Sequence, residues 1–167
     1  VKGLTFKTQE SSFLAGYAAA AFSTKGVVAT YGGAPYPTVT AFMDGFAQGV
    51  FYFNQVKNKG VRVLGWNRDT KNGEFVGDFA NTSKALQISK NFEQAGADVI
   101  FPVAGGLGGA TAGNSLTSKK SVVIWVDTDG VKAAPQYRKV LLTSVVKGVD
   151  ESVKGVILDQ ATGKFTS

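Results

Sequence analysis

The sequence predicts an α/β domain: an open parallel sheet with helices on both faces. Three observations lead there. Short apolar runs alternate with segments of helical period, which is the order of a parallel sheet with crossover helices. The apolar runs are continuous instead of alternating, as in strands buried on both sides. Many of the 21 glycines fall just after those runs, where strand-to-helix turns belong.

The elements run in order. Gly3 to Phe6 is a short strand candidate, and Gln9 to Phe22 is an Ala-rich helix with Glu10 in its first turn, favourable with the helix dipole. Thr24-Lys25-Gly26 is a junction. Val27 to Tyr31 is a β-rich run closed by Gly32-Gly33, and Ala34-Pro35-Tyr36-Pro37 is a turn or loop. From Thr38 the period becomes helical, with Val39, Phe42, Met43, Phe46, Val50 and Phe53 on one face, until Asn58-Lys59-Gly60 stops it. Val61 to Gly65 is the next strand, closed by Trp66 and Asn67, and 68–81 is a polar loop. A helix from about Thr82 buries Ala85, Ile88, Phe92 and Ala95; Asn81 or Thr82 caps it and Gly96 ends it. Asp98 to Val103 is a strand, Gly105 to Gly109 a tight glycine loop, and a helix runs from Ala110 to about Ser118. Val122 to Val126 and Val140 to Val146 are strands separated by a loop, and Asp150 to about Gln160 is helical.

Composition narrows the function. At 167 residues, 44% hydrophobic and 18% charged, the chain can bury a real core. With neither Cys nor His, thiol chemistry, His–Cys zinc sites and His-based triads are excluded. The net charge of +6 comes from lysines that do not cluster, and no nucleic-acid motif accompanies them, so no nucleic-acid partner is expected. No stretch reaches the ~20 apolar residues of a membrane span. The chain opens on Val1 rather than Met, so a processed form or an excised piece is expected.

In an open parallel sheet, ligands sit at the carboxyl ends of the strands. The residues just past the strands are Gly32 and Gly33, Trp66 and Asn67, Gly105 and Gly106, Asp127 and Asp129, and Lys147, all expected at one edge. Each has two readings. Gly105 to Gly109 is a plain strand-to-helix turn or a phosphate cradle, though it lacks the Lys-Ser/Thr of a P-loop and a clean G-x-G-x-x-G. Asp127 and Asp129 are ligand groups or solvated turn residues; no third metal ligand lies near in sequence. Lys147 is a surface lysine or a donor to a ligand oxygen. Phe79, an apolar ring in a polar loop, is a plug for the core or a stacking platform, the plug being the more ordinary. No nucleophile is paired with a base, so no catalytic residue, cofactor or metal site is expected.

Several motifs, in order, are similar to the basic membrane lipoprotein family, the purine-nucleoside-type substrate-binding proteins of ABC transporters. They are Leu4-Thr5-Phe6; Glu10 with Phe13-Leu14-Ala15-Gly16; Gly77-Asp78-Phe79; Ala95 through Gly106; Val126-Asp127-Thr128-Asp129-Gly130; and Leu142 through Lys147. The resemblance covers nearly the whole chain. It implies a periplasmic-binding-protein-like (type I) lobe, with 1–25 as the tail of the first lobe and hinge-proximal helix and 26–167 as the second, ligand-binding lobe. It implies a nucleoside-like small molecule in an interlobe cleft, with Phe79 stacking on the base, Gly105 and Gly106 lining the pocket through backbone, Asp127 gripping ribose hydroxyls, and Lys147 contacting the sugar or base. It also implies an exported protein that serves an ABC transporter permease and is tied to the membrane only through a lipid anchor carried by a Cys absent from this chain. Two rival readings are a nucleotide-binding enzyme domain using Gly105 to Gly109 and a ligand-sensing lobe of a signalling protein.

Overall fold

The computed structural model describes residues 2–166. Five parallel strands form its sheet: β1 (Val27–Gly32), β2 (Arg62–Leu64), β5 (Val99–Val103), β6 (Val122–Asp127) and β7 (Leu141–Val146). Their spatial order is β2-β1-β5-β6-β7. The chain leaves β1 outward to β2 and returns on its other side as β5, so the order reverses between β1 and β5. That is where an open sheet leaves a crevice at its carboxyl edge.

Helices cover both faces. On one, α1 (Thr8–Phe22) and α2 (Pro37–Lys57) pack over Val28, Val99, Phe101, Ile124 and Val145. On the other, α3 (Thr82–Gln94) packs over Ala29, Tyr31 and Ile100, and α4 (Gly108–Ser118) packs beside it. Every residue of β1 and β5 is buried, which is why their sequences are apolar without alternation. All six residues expected on the α2 face are buried. The α3 face holds for Ala85, Ile88 and Phe92 but not for Ala95, which is exposed: the helix ends at Gln94 and Ala95 is its C-cap. Asn81 caps the other end, its side chain accepting from the Lys84 amide at 3.0 Å, and Gly96 takes the left-handed turn (φ +96°).

Other expectations need correction. Gly3 to Phe6 forms no strand, since so short a run makes none without a neighbour to pair with. The 68–81 stretch is not simply a loop. Trp66–Asn67 (β3) and Asn72–Gly73 (β4) pair antiparallel, and Glu74 to Gly77 then runs beside the end of β1, with Gly32 N–H donating to Glu74 and Val76 N–H to Gly32. A 3₁₀ turn at Gly105–Leu107 leads into α4 two residues earlier than expected. The 130–140 connection contains a single turn, α5 (Gly130–Ala133), and a 3₁₀ segment. Helix α6 (Val149–Ala161) closes the chain with no buried residue.

Two devices hold α1 against the domain. It crosses α2 at glycines: a Cβ on Gly16 would overlap the Phe46 carbonyl oxygen, one on Gly45 that of Gln9, and one on Gly49 that of Phe13. The two backbones therefore meet with no room for a side chain at these three points.

The second device is Asp98, at the start of β5, whose carboxylate pins the turn after α1. It accepts from the Ser23 hydroxyl (2.5 Å), the Thr24 amide (2.8 Å) and hydroxyl (3.1 Å), and the Lys25 amide (2.9 Å). Burial pushes its carboxyl pKa up, but these hydrogen bonds outweigh it and leave it below the ordinary value. A carboxyl lowered on folding contributes stability that is present above its unfolded pKa of about 3.9 and lost as pH falls through the folded value. Asp98→Ala is expected to cost about 1–2 kcal/mol at neutral pH, because four hydrogen bonds to one part-buried carboxylate are lost while the freed donors can still reach water. Denaturant titrations from neutral pH to about pH 3 should show the gap between variant and wild type closing below about pH 4. A gap independent of pH would refute the clamp.

Candidate functional site

A cavity of about 260 Å³ opens at the carboxyl edge of the sheet. Phe79, Gly105, Asp127 and Lys147 line it, together with Tyr36 and Thr38 from the start of α2 and an apolar floor that includes Val39, Phe42, Val103 and Val126. A second cavity of similar size shares Thr38 and Lys147 and reaches Leu4, Thr5 and Phe6.

Phe79 is placed by its neighbours. The Asp78 carboxylate accepts from the amides of Ala80 (2.8 Å) and Asn81 (2.7 Å), an Asx-type turn that leaves the intervening ring on the surface. Those two amides hold the Asp78 carboxyl below its ordinary pKa. The ring lies against Gly33, where a Cβ would strike it, so the glycine sets how low the ring can rest. Phe79 remains 46% exposed, which removes the core-plug reading. Its ring stacks with that of Tyr36, centroids 6.3 Å apart and planes 17° from parallel.

Asp127 is the last residue of β6 and takes a left-handed backbone conformation (φ +66°), uncommon for a residue with a side chain. Its carbonyl accepts the Lys147 amide at 2.8 Å, which joins the ends of β6 and β7. Burial pushes the Asp127 carboxyl above its ordinary pKa, and the Lys147 charge partly offsets this. No hydrogen-bond donor among the described residues acts on that carboxylate. The Lys147 ammonium sits instead over the Phe6 ring, 5.0 Å from its centroid. A half-buried carboxylate with free acceptor capacity, beside a lysine held by a ring, suits a ligand that brings hydroxyl donors.

Other expected residues lie elsewhere. Gly106 is exposed and does not line the cavity; a Cβ there would meet nothing within 4 Å. Asp129 caps α5, accepting from Val131 N–H (3.0 Å) and Lys132 N–H (3.4 Å), so only one of the two aspartates faces the cavity. Trp66 and Asn67 come after the edge strand β2, away from the crevice. Left-handed Gly65 turns the chain back there. Trp66 is buried with its indole N–H on Asp44 (3.2 Å), and the Asn67 side chain caps a turn at Asp69 and Thr70. Tyr36 and Thr38 were not anticipated. The signal available was the pair of prolines flanking Tyr36, which fixes an aromatic residue immediately past the β1 glycines.

Comparison with known proteins places the chain. A family model described as ABC transporter substrate-binding protein PnrA-like matches residues 1–166. The chain belongs to this family. Among curated relatives, this PnrA-like chain is 30% identical over 153 residues to basic membrane protein A1 of Borrelia garinii subsp. bavariensis, covering 90% of the chain and 41% of that protein. It is 29% identical over 177 residues to the CD4+ T-cell-stimulating antigen of Listeria monocytogenes, covering 99% and 46%. The chain thus spans less than half the length of these relatives. Among solved structures, the solute-binding protein of an ABC transporter system from Aeropyrum pernix K1 superposes with a TM-score of 0.80 at 22% identity, covering 96% of this chain and 44% of that one. A transcriptional activator of the comK gene from Bacillus halodurans gives 0.79 at 22% identity, covering 100% and 54%. At that identity the two structures speak to the fold, which is periplasmic-binding-protein-like, and not to the ligand.

Proposed function

We propose that the chain supplies one wall of the solute cleft in the non-enzymatic substrate-binding component of an ABC importer, and that the solute is a nucleoside-like small molecule. The observation that carries this reading is the meeting of Phe79, Gly105, Asp127 and Lys147 in one cavity at the switch point of the sheet. Phe79 offers a face for a base, Asp127 accepts two sugar hydroxyls, Gly105 admits the ligand close to backbone, with Gly106 at the rim, and Lys147 donates to a ligand oxygen. Residues 1–25 lead in from a first lobe and 26–167 form the second, with α1 carried on the second by its glycine crossing. The opposing wall would come from the first lobe, and closure of the two would exclude water. Export, a lipid anchor and a permease partner belong to the same reading.

A calorimetric titration tests it. Ribonucleosides should bind, and their 2′,3′-dideoxy counterparts should bind at least about tenfold more weakly, because a buried acceptor is left unpaired. Equal affinities would remove the ribose role of Asp127. A nucleotide that outcompetes its nucleoside would favour phosphate recognition by Gly105 and Lys147, and no binding of any nucleoside would leave the family fold with a different solute.

A further inference from the structure

We propose that Phe6 is a positioning residue of this cavity: its ring holds the Lys147 ammonium off Asp127 and so keeps that carboxylate open to the hydroxyls of a ligand. The proposal rests on the nucleoside reading above and deepens it.

Lys147 and Asp127 are rooted side by side, joined by the Lys147 amide and the Asp127 carbonyl at 2.8 Å. A lysine stem is long and flexible, so its head goes where something holds it. Asp127 is half-buried, and among the described residues the Lys147 charge is the one that acts on its carboxyl. An ion pair between the two would be the ordinary outcome, yet Lys147 takes part in none among the described residues. Its ammonium lies 5.0 Å from the centre of the Phe6 ring, inside the ~6 Å reach of a cation–π contact.

The fold sets the ring there. Phe6 stands two residues ahead of α1, whose Gln9 carbonyl is seated against Gly45 of α2. Lys147 borders both cavities, while Asp127 lines the first and Phe6 the second. The ammonium, over Phe6, is thus held on the side of the second cavity, and the first keeps a carboxylate that no donor among the described residues occupies. Without the ring the ammonium is free to turn to Asp127, and a ligand diol would have to displace it.

The test is a carboxyl NMR titration of the unliganded 167-residue chain, with an adenosine shift titration beside it, on wild type, Phe6→Leu and Phe6→Tyr. Amide spectra confirm that each variant is folded. Leucine keeps the apolar bulk and loses the ring face; tyrosine keeps the face. In Phe6→Leu the Asp127 carboxyl should titrate at lower pH than in wild type, because a closer positive charge favours its ionised form. Adenosine should then bind roughly threefold to fivefold more weakly, since its hydroxyls compete with an ion pair. Phe6→Tyr should leave both quantities as in wild type. In a Lys147→Met background, Phe6→Leu should no longer move the Asp127 titration. An Asp127 titration that Phe6→Leu leaves in place, or lowers even without Lys147, would overturn the proposal. So would a lowered titration with adenosine affinity unchanged. If no nucleoside binds wild type, the nucleoside reading fails, and the Asp127 titration by itself decides whether Phe6 places the lysine.

Discussion

Asp127→Asn is expected to lower ribonucleoside affinity by roughly 30- to 150-fold, the equivalent of about 2–3 kcal/mol. The carboxylate is half-buried and receives no hydrogen bond from the described chain, so its acceptor capacity is left for the ligand. A diol can give it two charge-assisted bonds; an amide oxygen in the same place accepts more weakly, and the amide nitrogen presents a donor where the ligand also presents one. The variant should fold normally, because asparagine tolerates the left-handed backbone as well as aspartate does. Asp127→Gly separates fold from function more sharply. It should lose the same affinity while unfolding at an equal or higher denaturant concentration, by up to about 1 kcal/mol, because glycine is relieved of the left-handed strain. Calorimetry and urea titration on both variants give the two quantities. A dissociation constant within about threefold of wild type for Asp127→Asn would remove the residue from the site.

Gly49→Ala is expected to be among the most damaging single-methyl substitutions in the chain, costing about 3 kcal/mol or more. The new Cβ would overlap the Phe13 carbonyl oxygen and lie 2.8 Å from the Tyr17 amide nitrogen. Both are backbone atoms of α1, so no side chain can swing aside and the helices must separate. Buried Ala19 and Ala20 of α1 and Phe46 and Val50 of α2 would lose contact with them. Gly155→Ala is the contrast. Gly155 sits in the interior of α6 with open space around it, and alanine there should stabilise by about 0.5–1 kcal/mol. Urea midpoints that move together for the two substitutions would show that the crossing of α1 and α2 is looser than the geometry indicates.

Much of this is legible in the sequence, for identifiable reasons. Strands β1 and β5 are buried at every position because both faces are covered, and they are apolar apart from Thr30; the α2 stripe at Val39, Phe42, Met43, Phe46, Val50 and Phe53 repeats with the helix. Gly105, Asp127 and Lys147 are legible because each stands just past a strand, and Phe79 because it is an apolar ring in a polar stretch. The strand-end rule misplaces Trp66 and Asn67 because it carries no strand order, and β2 proves to be the edge strand beyond β1. It puts Gly106 in the lining because backbone direction within a glycine run is not written in the glycines. Tyr36 escapes it by preceding a helix instead of closing a strand. The role of Asp98 is hidden for a different reason: its partners, Ser23, Thr24 and Lys25, lie more than 70 positions away and nothing local marks them.

The close crossing of α1 over α2 has a mechanical meaning. With glycines seated on backbone at three points, α1 is joined closely to α2, and Asp98 ties the turn after it to the start of β5. A force applied to the chain ahead of Thr8 would reach the sheet through α1 and would also draw on Phe6, whose ring lies against the Lys147 ammonium at the cavity.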